Sequence, residues 1–195
     1  MEITRDQAQE LLQAADDAGR NMRTRRAYGP VGPILMLWGV VWIVCFSIAR
    51  FAPAASGWVW LVGDALGLVG SIYLGWTRER AEGERSAASK RLGRRLAAFW
   101  FLLFIYGDIW IALLTAGRGA NISCFVVTLV MFAYVVMGLW LERYFFLWLG
   151  LLVTALAGVG YGLALAELVD LDLWLGLTGG AALFASGAYL AWRWR

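Results

Sequence analysis

The sequence predicts an all-α polytopic membrane protein, with six transmembrane helices in three hairpins and a cytoplasmic amphipathic helix ahead of them. Three observations carry that reading. The chain is 61% hydrophobic and 15% aromatic, against about 45–50% apolar in soluble domains. Its apolar residues lie in continuous runs of the roughly 20 residues that a helix needs to cross a bilayer. Its Lys and Arg residues fall on alternate sides of successive runs, as the positive-inside rule requires. Continuous runs favour helices over barrel strands, which alternate, because each helix satisfies its own backbone in lipid.

Residues 1–29 form the first unit and 30–195 the bundle. Within 2–27, Thr4 and Gln7 match a capping box. Ala8, Leu11, Leu12, Ala15, Ala18 and Met22 share one helical face. Acids lead and Arg20, Arg23, Arg25 and Arg26 follow, in the order that the helix dipole favours. Two roles fit this segment: a helix lying on the membrane or the bundle, or a docking helix for a cytoplasmic protein. No signal peptide is expected, since the N-terminus is acidic and helical before any apolar run.

Gly29, Pro30, Gly32 and Pro33 end that helix and open the first span, Pro33 to Phe51. The second is expected over Ser56–Trp76, the third over Leu96–Thr115 and the fourth over Ile122–Leu141. The fifth runs Tyr144–Ala166 and the sixth Leu171–Trp192. Between spans two and three lies the basic cytoplasmic loop 77–95, with seven Lys/Arg against three Glu. This loop, the N-terminal arm, Arg143, Arg193 and Arg195 fall on one side; Arg50, Arg118, Glu167, Asp170 and Asp172 fall on the other. Both termini are therefore expected in the cytoplasm, and the bundle in a plasma or bacterial inner membrane. Trp58, Trp76, Trp140, Tyr144, Trp174 and Trp192 sit near span ends, where an aromatic belt lies.

Spans two, four and six end in similar residues, Tyr73 to Trp76, Met137 to Trp140 and Tyr189 to Trp192, each followed by arginine. Trp38 to Trp42 echoes Tyr106 to Trp110. The pattern reads either as three parallel hairpin repeats or as an interfacial Trp and Arg at every inner end. Gly63 and Gly67, Gly158 and Gly162, and Gly176 and Gly180 each make GxxxG spacing, which lets helix backbones approach within a bundle or between subunits.

Composition excludes much chemistry. The chain has no histidine, which removes His-based haem ligation, His–zinc sites and His-activated nucleophiles. Its two cysteines, Cys45 and Cys124, have neither zinc nor disulfide-framework spacing. No cofactor and no metal is expected. The net charge of +3 resides in loops, so it speaks for topology and not for nucleic acid.

The residues able to carry chemistry are two intramembrane acids. Asp64 and Asp108 each lie seven or eight residues from the outer end of a span, hence roughly 10–12 Å deep at 1.5 Å per residue. An ionisable group at that depth costs several kcal/mol unless protonated, paired or wetted, and is a functional candidate by default. Trp60 shares the face of Asp64 one turn away, Gly67 and Ser71 continue that face, and Thr128 and Thr178 reach a similar depth. These residues and Tyr106 fit a polar pocket with an aromatic wall, suited to a cation. The purely structural alternative is that each acid donates a hydrogen bond to a carbonyl, Tyr106 or Thr128.

Gly63-Asp64 and Tyr106-Gly107-Asp108 resemble the paired aspartates of intramembrane aspartyl proteases. However, Leu61 replaces the first glycine of the GxGD motif, and no PAL-like motif is present. Size and span count are similar to those of small urea and amide channels and acetate-uptake proteins, whose motifs are absent. The expected function is therefore non-enzymatic: transport or permeation of a proton, small cation or cationic solute. The alternative is a membrane sensor or partner subunit acting through residues 2–27. The lipid bilayer is the sure partner; a homo-oligomer and a cytoplasmic protein are the others that the sequence allows.

Overall fold

The computed structural model describes residues 9, 11–14, 31–82, 87–114, 119–141 and 143–193, with the backbone alone at 78–82, 87–90, 106, 108–114 and 119–121. All of its regular structure is helical. The helices are α1 (Val31–Phe51), α2 (Ser56–Glu82), α3 (Ala87–Leu114), α4 (Gly119–Trp140), α5 (Tyr144–Leu165) and α6 (Leu171–Arg193). Five of them, all but α3, are shown to be long and apolar enough to cross a membrane. Of the N-terminal amphipathic segment, residue 9 and residues 11–14 are helical, with Leu11 and Leu12 well exposed. Thr4, Gln7 and the other residues of its proposed face lie outside the described residues.

The basic interval is not mainly a loop. α2 continues to Glu82 and α3 begins at Ala87. The physical reason is composition: Ala, Glu, Lys and Arg are good helix formers, and the charges that exclude this interval from lipid do not break a helix. A 3-10 turn, Pro53–Ala55, separates α1 from α2. α5 ends in a Schellman motif: the Leu168 N–H reaches the Leu163 carbonyl at 3.0 Å and the Glu167 N–H the Ala164 carbonyl at 3.0 Å. Glu167 takes the left-handed position, at φ 58°. Glycine is at ease there and other residues are not. Glu167→Gly is therefore expected to stabilise the protein by about 0.5–1 kcal/mol, measured as a raised denaturation midpoint in detergent.

Packing departs from the order of the chain in one large contact. The most extensive contacts join α4 to α5 and the first helix, α1, to the last, α6. α2 lies against α1, and α3 rests on α4. The core is built from Leu35, Trp42, Phe46, Val127, Met131, Phe146, Val153, Leu175 and Leu183. No buried polar or charged side chain occurs among the described residues.

Glycines set the α1–α6 seam. A methyl group on Gly39 would stand 2.7 Å from both the Gly180 carbonyl oxygen and the Phe184 nitrogen, and one on Gly32 would stand 2.9 Å from the Gly187 carbonyl. Opposite Gly39, α6 widens into a π-helical turn over Leu175–Gly180, a rare geometry that shifts each hydrogen bond to the fifth residue back. Gly176 in that turn meets the Phe46 Cβ, and Gly179 lies under the Trp42 ring. Gly63 and Gly67 face side chains of α1, while Gly158 and Gly162 have open space around them.

Ends of three helices are tied together by polar contacts. The Arg50 Nε donates to the Asp170 Oδ2 at 2.6 Å. Asp170 also caps α6, its Oδ1 accepting from the Leu173 N–H at 3.0 Å. The Ser123 hydroxyl of α4 donates to Asp172 at 2.8 Å. Trp58, Trp76, Trp140, Tyr144 and Trp192 are exposed, as residues of an interfacial belt are. Trp174 differs: its indole N–H donates to the Leu156 carbonyl at 2.8 Å, and its ring fills the space left by Gly160.

Candidate intramembrane carboxylate site

Asp64 sits in the seam between α2 and α1. The seam is defined by its neighbours on α2: Trp60, Gly67 and Ser71 on the same face at i−4, i+3 and i+7, and Gly63 next to it in the chain. Trp60 meets Phe46 edge to face, with ring centroids 4.7 Å apart. Gly63 abuts the Cys45 sulfur, and Gly67 is covered by the Trp38 ring. Ser71 accepts a hydrogen bond from the Trp38 indole N–H at 3.1 Å and donates to the Gly67 carbonyl at 2.7 Å. Asp64 is half-buried on this face, within electrostatic reach of the Cys45 thiol. Cys45 in turn donates to the Val59 carbonyl at 3.6 Å.

No Lys or Arg occurs in residues 31–49 or 51–77, so neither helix of this seam supplies a cation at the depth of Asp64. The carboxyl group can hold a proton, or, when ionised, attract a cation into a seam lined by aromatic rings, sulfur, glycine and the Ser71 hydroxyl.

The other residues of the pocket read from sequence take different places. Trp60 is packed against the apolar core through Phe46 and is not a free wall. The Thr128 hydroxyl donates to the Cys124 and Phe125 carbonyls at 2.8 and 3.0 Å, and that of Thr178 to the Trp174 carbonyl at 2.6 Å. Each spends its proton on its own helix, as threonines within helices do. Thr128 and Thr178 belong to α4 and α6, with which α2 has no extended contact among the described residues. Asp108 and Tyr106 are on α3, their side chains outside the described residues. Gly107 between them packs on α4, where a methyl group would lie 3.0 Å from a Leu129 methyl. Cys45 and Cys124 are both free thiols.

Sequence reasoning did not place Cys45 near Asp64, or Trp38 over Gly67 and Ser71 of the same seam. No spacing within one chain announces which side chain of a neighbouring helix fills a glycine notch. Comparison with protein families, curated proteins and solved structures gives no match for this chain.

Proposed function

We propose that the protein is a small, non-enzymatic membrane transporter or channel for a proton, small cation or cationic solute, with Asp64 as its charge-binding group. The observation that carries this reading is the carboxylate itself, held mid-span in a helix seam whose two helices contain no basic residue at that depth. An acid in that setting has a strong electrostatic consequence and little packing value.

The unequal packing of the helices supports movement at the same seam. Only 6% of the apolar window of α2 is buried, against 39% for α1 and α6. A helix that meets the bundle along one face only can slide against a packed core, the shear component of gating motions. In this reading α3 is the sixth span, the helices enter as three hairpins, and Asp108 is a second acid at a similar depth. Both termini and the basic interval lie in the cytoplasm, and the membrane is a plasma or bacterial inner membrane. The deciding experiment is flux through reconstituted vesicles carrying Asp64→Asn in place of the native chain.

A second reading, a partner subunit or sensor acting through residues 2–27, is favoured by the exposure of Leu11 and Leu12, at 61% and 68%. Apolar side chains that do not pack on their own bundle are available to another surface. Deletion of residues 2–27 is then expected to abolish co-purification of a partner while the bundle still folds. Retention of every co-purifying protein by the truncated chain would count against it.

A further inference from the structure

The geometry points to a binding stripe for an anionic phospholipid on the outward face of α3, its headgroup held by Arg91, Arg94 and Arg95. The inference rests on α3 crossing the membrane, which belongs to the reading above, and not on Asp64 or on flux. Because α3 begins at Ala87, these arginines are not scattered on a loop but fixed on a helix that runs without a break into its apolar part. All three are exposed. Phe101, Leu102 and Ile105, further along, are exposed at 67%, 63% and 41%.

At 100° per residue these six positions fall within an arc of about 120°. The opposite face is the packed one: Leu96, Phe99, Trp100 and Leu103 are partly buried, and Trp100 meets Tyr134 of α4 with ring centroids 5.8 Å apart. One lipid-facing stripe therefore carries positive charge at its cytoplasmic end and large apolar side chains directly beyond.

The depths also match a lipid. Arg95 adjoins the apolar segment, and Arg91 lies about 6 Å further out. The polar layer of one leaflet is roughly 5–8 Å thick, so all three guanidinium groups lie at phosphate level. Arginine forks pair with phosphate oxygens in a bidentate way. The apolar side chains then run beside the acyl chains. A free phosphate would use only the upper half of this stripe, whereas an anionic phospholipid uses both.

The test is electron spin resonance of chain-labelled lipid around the reconstituted full-length protein. Labelled phosphatidylglycerol is compared with labelled phosphatidylcholine in phosphatidylcholine vesicles. The native chain is expected to restrict phosphatidylglycerol preferentially. Arg91→Gln, Arg94→Gln and Arg95→Gln together should remove most of that preference, by roughly fivefold per arginine at most. The matching triple lysine variant should retain part of it.

Should the glutamine variant fail to insert, the native chain still decides: raising NaCl from about 0.05 to 0.5 M is expected to collapse the preference. Equal restriction of both lipids by the native chain overturns the inference. So does a preference that survives the glutamine substitutions or salt. Displacement by millimolar glycerol phosphate would show a headgroup-only site and overturn the amphiphile assignment. A spin label at residue 105 separates the two readings. Water-accessible relaxation there brings down the spanning of α3, whereas lipid indifference with that label in hydrocarbon brings down this inference alone.

Discussion

Replacing Gly39 by alanine is expected to destabilise the bundle by about 1–3 kcal/mol, and by valine more. The added methyl group has nowhere to go. Its nearest neighbours would be the Gly180 carbonyl oxygen and the Phe184 nitrogen, both at 2.7 Å and both backbone. A flexible side chain can turn aside, but a helix backbone can only retreat as a unit. Retreat of α6 would also open the contacts at Gly32 and Gly187, which share the seam, and would withdraw the π turn from Phe46 and Trp42. In lipid there is little hydrophobic drive to close the gap again, since helix association there depends on close packing. Gly158→Ala is the matched control. It places the same methyl group on α5 in open space, and its expected effect is nil or a gain of up to ~1 kcal/mol from helix propensity. Denaturation midpoints of the purified variants in detergent, followed by circular dichroism, compare the two directly. Equal midpoints would contradict the glycine seam.

That pair of glycines also marks how far the sequence reaches. Five helices long and apolar enough to span, and the break at Pro53, are legible because bilayer thickness and proline chemistry act locally on the chain. The pairing of α1 with α6 is not legible. Its glycines on α1, Gly32 and Gly39, are seven residues apart, so a search for spacing of four passes over them, whereas Gly158 and Gly162 have that spacing and face outward. Spacing defines a face of a helix and says nothing of what meets it. The π turn is hidden for a similar reason, because Leu-Gly-Leu-Thr-Gly-Gly is compatible with an α-helix until tertiary contacts select the wider turn. Charge misleads in the basic interval, where residues excluded from lipid are nonetheless helix formers. Within the candidate site, Asp64 and its helical face are legible from the alternation of Trp60, Gly67 and Ser71. The separate fate of Thr128 and Thr178 is not, because equal depth in a membrane does not imply adjacent helices.

Asp64→Asn is expected to lower flux at least tenfold while leaving the fold at least as stable as the native one. The two halves of that expectation have different causes. Asparagine has nearly the shape of aspartic acid and can both donate and accept hydrogen bonds. It therefore preserves the contacts that a purely structural aspartic acid would make beside Cys45 and Gly63. What it removes is the ability to ionise, and an ionisable group at mid-span is costly to the fold. Stability should hold or rise, and a fall in flux cannot then be blamed on misfolding. Asp64→Glu keeps the charge but carries it one methylene further into a seam where Gly63 already abuts the Cys45 sulfur, so partial activity is expected. Asp64→Leu keeps neither charge nor hydrogen bonding. A structural aspartic acid predicts the reverse order, with asparagine fully active and leucine unstable. Proton, sodium, potassium and methylammonium gradients across vesicles of the purified chain, each with a matched reporter, would read the outcome. Native flux that persists in the asparagine variant, or the absence of flux for all four in the native chain, would end the transport proposal and leave the partner reading in its place.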